Sequence, residues 1–147
     1  MRFRHLSRRF FGSVMARPLD TQERRIVEAV LLPVELRLFA AMSRADQSHA
    51  LMVLRRFDLI APGSGIEARR AALLHDVGKS VSGLGTFGRV LASLVGPRTR
   101  RFADYYAHES IGAEILERGG SHAVTVDLLR NVGDATTLEA LRRADDV

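Results

Sequence analysis

Apolar residues recur at helical spacing along nearly the whole 147-residue chain, and this periodicity limits the folds that the chain can adopt. Runs that alternate apolar and polar residues, which are typical of half-buried strands, are missing. A chain of this length is expected to form one domain and can bury a substantial core. The pattern therefore predicts an all-α fold, a single bundle of about eight helices.

Capping residues and helix breakers indicate where these helices begin and end. Asp20 followed by Glu23 has the pattern of a capping box, Pro33 suits a first helical turn, and Ser43 is a good N-cap. Glycine and proline mark the breaks, including an irregular loop predicted over 80–88. The predicted helices cover approximately 21–32, 34–42, 44–59, 66–76, 87–94, 98–106, 107–118, 121–132 and 136 onward.

Helical spacing also predicts which positions face the core. In the second predicted helix the core-like positions are Leu36, Phe39 and Ala40. In the third, Leu51 and Leu54 lie near one face, whereas His49 shares another face with the apolar Val53. His49 is therefore expected to have apolar neighbours and to be able to point inward.

The positive charge is concentrated at the beginning of the chain. Residues 1–18 contain five arginines and no acidic residue, whereas the 17 basic residues of 19–147 equal the 17 acidic ones there. We expect 1–18 to be a basic arm and 19–147 to be the helical domain. The arm mixes arginine with aromatic residues, so it could contact an anionic membrane surface or nucleic acid, or it could be a solvated, partly disordered tail.

The remaining composition restricts the compartment and the possible ligands. Cysteine is absent, so disulfides play no part and any metal must be held by His, Asp or Glu. The basic start is not followed by an unbroken apolar segment of the kind found in signal peptides. No apolar run reaches the length of a membrane span, and we expect a cytoplasmic protein.

The adjacent pair His75-Asp76 is the strongest chemical signal in the sequence. An imidazole nitrogen and a carboxylate oxygen can both bind one divalent metal such as zinc, iron, manganese or nickel. Neighbours on a regular helix point about 100° apart, so they converge on one ion best where a helix ends. Gly78 supplies such an end. Without a metal, the same pair would act as a helix cap and a local ion pair.

Four segments together resemble the HD superfamily of metal-dependent phosphohydrolases, of the HDIG type. The resemblance covers roughly 44–147 and rests on a lone His, an adjacent His-Asp pair, a distant Asp and an H-x-x-x-G-A-E-I-L helix. In this chain these are His49, His75-Asp76 followed by Val77-Gly78-Lys79, Ala144-Asp145, and the segment His108–Leu116. The family's fold is all-α, in agreement with the helical periodicity.

The resemblance implies a site with one divalent ion (Mn, Fe, Co, Ni, Zn or Mg). Its metal ligands would be His49, His75, Asp76 and Asp145, with the neighbouring Asp146 as an alternative to Asp145. The resemblance further implies that the ion activates water to hydrolyse a nucleotide or another small phosphoester. Besides His75 and Asp76, the catalytic residues would include Lys79 and His108.

Two of these roles are open within the sequence. Lys79, the single lysine, resembles the lysine of the HDxGK signature and could meet a substrate phosphate, or it could simply be exposed to solvent. His108 stands where branches of the family with two metals bind the second ion. The further histidine expected roughly 20–25 residues later is missing from 129–134, and so is Gly-Tyr-Pro. A complete second metal site and HD-GYP cyclic dinucleotide hydrolysis are therefore not expected, and His108 could act as a general acid or a phosphate partner.

Two other functions compete with hydrolysis. The domain could be a catalytically inactive, HD-like module that serves in ligand binding or regulation. It could also be an interaction protein whose basic arm binds a membrane or nucleic acid.

Overall fold

The computed structural model describes residues 17–78 and 108–146, apart from the side chains of 108–111, and within these ranges the chain is helical with no strand. The all-α prediction is confirmed. Seven helices are present in the described ranges: α1 (Thr21–Val30), α2 (Pro33–Ala40), α3 (Arg44–Ile60), α4 (Ile66–Leu74), α5 (His108–Arg118), α6 (Ala123–Leu129) and α7 (Ala135–Asp145).

Local sequence signals explain where most of these helices begin. The Asp20 carboxylate accepts a hydrogen bond from the amide of Glu23, whose carboxylate accepts one from the amide of Asp20, so the predicted capping box is present. Ser43 caps α3 by accepting a hydrogen bond from the Asp46 amide, also as predicted. One predicted start was wrong: α6 begins at Ala123 instead of Ser121, because the ring of His122 accepts a hydrogen bond from Val124 and serves as the cap.

The short helix α4 lies at the centre of the described part of the fold. It packs against α1, α2, α3, α6 and α7. Its buried residues include three alanines, Ala68, Ala71 and Ala72, whose small side chains allow several neighbouring helices to approach closely. The helix ends at Leu74, so His75 and Asp76 lie in the turn that follows it. The predicted helix over 66–76 was two residues too long and had placed both residues inside it.

The core consists mainly of leucine, valine and alanine from α3, α4 and the helices around them. Leu51 and Leu54 are buried as predicted, and Phe39 of α2 is buried as well. Leu36 is only partly buried, and Ala40 is exposed because it lies on the same helical face as the exposed Arg37, three residues earlier. The prediction of a core position for Ala40 was therefore wrong.

A close approach of α5 to the turn after α4 is possible because of Gly112. A β-carbon at this position would lie 2.9 Å from Val77 Cγ1 and 3.0 Å from the backbone nitrogen of Gly78. Glycine thus allows α5 to rest directly on the backbone that follows Asp76.

Other predictions fall outside the described residues: the loop over 80–88, the helices over 87–94 and 98–106, Lys79, and the arm up to residue 16. Arg17 belongs to the predicted arm, and its guanidinium donates to both carboxylate oxygens of Glu23 at 2.9 and 3.1 Å. Among the helices of 17–78 and 108–146, none is long and apolar enough to cross a membrane.

Candidate metal centre

Three separate elements bring the four predicted ligands together. His49 comes from the second turn of α3, His75 and Asp76 come from the turn after α4, and Asp145 is the last residue of α7. These elements meet because α3 packs against both α4 and α7, and α7 also contacts α4. Residues that are 96 positions apart in the sequence, His49 and Asp145, are thereby in direct contact.

The distances between the side-chain tips suit a single ion. The Asp145 Oδ1 atom lies 2.9 Å from His49 Nε2 and 3.2 Å from His75 Nε2. The Asp76 Oδ2 atom lies 3.9 Å from His49 Nε2 and 3.5 Å from His75 Nε2. Ligands bound at about 2.1 Å from one ion are separated by roughly 3–4 Å, so the donor atoms are spaced for coordination.

Three of the donors form a compact set that is largely shielded from solvent. One ligand atom from each of His49, His75 and Asp76 lies within 4.8 Å of the other two. The side chain of Asp76 is only 3% exposed, whereas that of Asp145 is 43% exposed. The cluster therefore has a closed side at Asp76 and an open side at Asp145, from which water or a ligand could enter.

The ring of His75 is oriented by the backbone. Its Nδ1 donates a hydrogen bond of 2.7 Å to the carbonyl oxygen of Ala72, one turn earlier. In a neutral ring the proton is then on Nδ1, which leaves a lone pair on Nε2. A hydrogen bond from the distal nitrogen to a backbone carbonyl is the usual arrangement of a metal-binding histidine.

The other ring nitrogen of His75 is buried and has no hydrogen-bond partner among the described residues. Asp145 Oδ1 and Asp76 Oδ2 lie 3.2 and 3.5 Å from this nitrogen, within ion-pair distance. A buried lone pair that faces two carboxylate oxygens would be repelled by them. A proton or a cation between His75 and these carboxylates would remove this repulsion.

The contacts within the cluster shift the pKa values of His75 and Asp145 in opposite directions. Burial by itself lowers the pKa of His75, but the contact with Asp145 and the negative charges of Asp76 and Asp145 outweigh it, so the pKa is raised above its usual 6.5. The hydrogen bond with His49, followed by the contact with His75, holds the pKa of the Asp145 carboxyl far below its usual range. In the metal-free site the carboxylates of Asp76 and Asp145 thus favour the protonated form of His75.

The packing of α7 sets which of the two terminal carboxylates lies near the histidines. Ala140 and Ala144 are buried against the rest of the bundle, and this orientation puts Asp145 against His49 and His75. Asp146 is exposed and lies beyond the helix end in extended backbone. Of the two carboxylates, Asp145 is therefore the one that lies next to the histidines.

The other two predicted catalytic residues are not part of this described cluster. Lys79 lies outside the described residues. His108 is the first residue of α5, and only its backbone is described; it lies one turn before Gly112, which packs on Val77 and Gly78. Helix α5 is thus next to the turn that carries Asp76.

Sequence reasoning missed two contributors to this site. The Ala72 carbonyl that orients His75 has no sequence signal, because every residue has a carbonyl. Arg56 donates hydrogen bonds to the backbone at the end of α7. It lies two helical turns after His49, so helical periodicity could have placed both on one face of α3.

The fold is all-α, and one atom from each of His49, His75 and Asp76 could together hold a metal ion, with Asp145 in contact with both histidines. The family model described as HD domain matches residues 47–134, which is more than half of the chain. The chain belongs to the HD domain family, and hence to a superfamily of metal-dependent phosphohydrolases. The match includes His49, His75 and Asp76 and ends before Asp145. Comparison with curated proteins and with solved structures finds no match.

Proposed function

We propose that this protein is a hydrolase that uses one divalent metal ion to cleave a nucleotide or another small phosphoester. The observation that carries the proposal is the convergence of His49, Asp76 and Asp145 on the buried Nε2 of His75, which has no hydrogen-bond partner among the described residues. A buried nitrogen without a described hydrogen-bond partner is suited to bind a metal ion. Membership of the HD family supports the same chemistry.

The donor set fits a first-row transition metal. Two imidazole nitrogens suit zinc, iron, cobalt and nickel, and two carboxylates widen the range to manganese, whereas magnesium prefers oxygen donors alone. Four protein donors leave coordination positions free in a five- or six-coordinate ion. The exposed side of the cluster at Asp145 is where these positions would be accessible.

The residues have separable tasks in this mechanism. When bound, a divalent ion lowers the pKa of a water ligand toward about 7 and polarises a phosphoryl oxygen. The Ala72 carbonyl keeps His75 in the tautomer with a free Nε2, and the buried Asp76 supplies negative charge from the closed side. Asp145 contributes the second carboxylate at the open side. We further propose that His108 and Lys79 act on the substrate phosphate or leaving group, as the family resemblance implies.

Metal content of the purified protein tests the proposal. Elemental analysis should find about one equivalent of a transition metal in wild type. Asp76→Asn should lower it to background while helix content measured by circular dichroism stays unchanged, because the substitution removes a charged donor without changing its shape. Equal metal content in the two proteins would reject the site.

Two neighbouring substitutions provide a matched pair. Asp145→Asn should weaken metal binding, whereas Asp146→Asn should leave it at the wild-type level. Of these two neighbours, Asp145 is the one with described contacts to both histidines. The opposite order would mean that Asp146 is the ligand.

Phosphate release distinguishes a hydrolase from a metal-containing module that only binds its ligand. Wild type with added manganese or cobalt should release phosphate from members of a panel of nucleotides and small phosphoesters, and Asp76→Asn should not. If the protein retains metal and binds panel members without releasing phosphate, the domain is a ligand-binding module instead.

A further inference from the structure

Asp145 occupies a position where a helix is normally weakly ordered. It is the last residue of α7, and helix ends fray because the last carbonyls have no partner within the helix. A donor that must stay 2.9 Å from His49 and 3.2 Å from His75 cannot tolerate fraying. Something outside α7 has to hold this turn in place.

Arg56 of α3 makes contacts that hold it. Its Nη2 donates hydrogen bonds to the carbonyl oxygen of Arg143 at 3.1 Å and to that of Asp146 at 3.0 Å. These carbonyls lie on both sides of Asp145 in the sequence. A cationic donor at a helix C-terminus satisfies the unpaired carbonyls and is favoured by the helix dipole.

Packing secures only one side of this turn. Ala144 is fully buried against the bundle. On the other side, a groove of about 410 Å³ is lined by Arg56, Leu59, Ile60, Arg143 and Asp146. Leu59 is almost fully exposed. The hydrogen bonds from Arg56 therefore cross an open region where apolar contacts do little to fix the backbone.

The same helix also carries a metal donor. His49 and Arg56 are two turns apart on α3 and lie on nearly the same face. Helix α3 thus contributes the imidazole of His49 to the site, and through Arg56 it also binds the backbone on both sides of Asp145. The distance between these two donors is set by the docking of α7 on α3.

We propose that Arg56 is a positioning residue that fixes the metal-binding position of Asp145 by clamping the last turn of α7. The inference rests on the proposed function, in which Asp145 is a metal ligand. It assigns Arg56 no contact with the metal or the substrate. Its effect on the site should therefore pass entirely through Asp145.

The test compares two adjacent arginines. Arg56→Met keeps an unbranched apolar stem and removes the guanidinium donors, and Arg55→Met makes the same change at an exposed neighbour that contacts Glu23 instead. Cobalt(II) is titrated into metal-stripped protein and followed by its visible absorption. We expect Arg56→Met to bind cobalt about tenfold more weakly than wild type, the size typical of residues that orient ligands. Arg55→Met should bind like wild type.

A double-mutant cycle shows whether the effect passes through Asp145. In an Asp145→Asn background, Arg56→Met should cause no further loss of cobalt affinity, since the group that it positions no longer binds. An equal loss in both backgrounds would overturn the inference and point to a general structural effect. Amide hydrogen exchange in the last turn of α7 should be faster in Arg56→Met and unchanged in Arg55→Met.

Arg56→Lys is a second variant that can be measured if Arg56→Met does not fold. A lysine places one flexible ammonium where arginine has a planar fork, so it should recover part of the affinity that methionine loses. If Arg56→Met is unfolded by circular dichroism, a wild-type cobalt affinity in Arg56→Lys together with unchanged exchange in α7 would refute the clamp. Failure of wild type to bind cobalt would refute the proposed function, whereas wild-type affinity in Arg56→Met would refute only the role of Arg56.

Discussion

Replacing Gly112 by alanine tests whether the close approach of α5 to the turn after α4 supports the site. The added β-carbon would lie 2.9 Å from Val77 Cγ1, 3.0 Å from Gly78 N and 3.3 Å from Gly78 Cα. Favourable carbon–carbon contacts lie at about 3.5–4.0 Å, so α5 or the turn must move by about half an ångström or more. Two of the three atoms are backbone and cannot escape by changing rotamer.

The expected loss of stability is the difference between two effects. Overpacking of this kind typically costs about 1–3 kcal/mol. Alanine is preferred over glycine inside a helix by about 0.5–1 kcal/mol, which offsets part of this. Because backbone atoms take most of the clash, we expect Gly112→Ala to lower the free energy of unfolding by about 1–2 kcal/mol, or the melting temperature by about 3–6 °C.

Urea unfolding of the metal-free protein, followed by circular dichroism, measures this change. Val77→Ala removes one of the clashing atoms, so the additional cost of Gly112→Ala should be smaller in that background than in wild type. Metal affinity should fall as well, because the displaced turn carries Asp76. Unchanged or increased stability in Gly112→Ala, or full additivity with Val77→Ala, would refute the reasoning.

The buried charges lead to two further predictions. The pKa of His75 is raised in the folded, metal-free protein, so its contribution to stability is fully present below about pH 6.5 and is lost as the pH rises through the folded value. Thermal melts should show this dependence in metal-free wild type and not in His75→Gln; with saturating metal the His75-dependent slope should reverse, because coordination requires the neutral ring. Glu35 is fully buried, accepts from the amide of Leu32 at 2.9 Å and lies 3.7 Å from Arg70, so Glu35→Ala should cost about 3 kcal/mol in urea melts. Glu35→Gln, which keeps an acceptor for Leu32, should cost less, and equal losses would show that this hydrogen bond is unimportant.

Much of the helical framework was predictable because its signals are local. The capping box of Asp20 and Glu23 and the cap at Ser43 act within three residues, so a short stretch of sequence contains all the necessary information. Errors arose where a local pattern had alternatives. Ser121 and His122 can both cap a helix, and Ala40 follows the buried Phe39 but lies on the exposed face of α2 with Arg37.

Part of the candidate site was likewise predictable from the sequence, and part depended on how the helices pack. His49 and the His75-Asp76 pair stand out in the sequence because their residue types and order match a family pattern, and the structure brings them within coordinating distance. The sequence left the terminal carboxylate open, because Asp145 and Asp146 are chemically identical neighbours. The buried faces of Ala140 and Ala144 turn Asp145 toward the histidines.

The sequence by itself determined the helical class, most helix starts and the residue types that could hold a metal, since these depend on periodicity, capping and side-chain chemistry. Only the tertiary structure decided which atoms meet. The hydrogen bonds of Arg56 to the end of α7 and the contact of Gly112 with Gly78 involve backbone groups of separate segments. Backbone groups are the same in every residue, so their partners are set by how the helices pack.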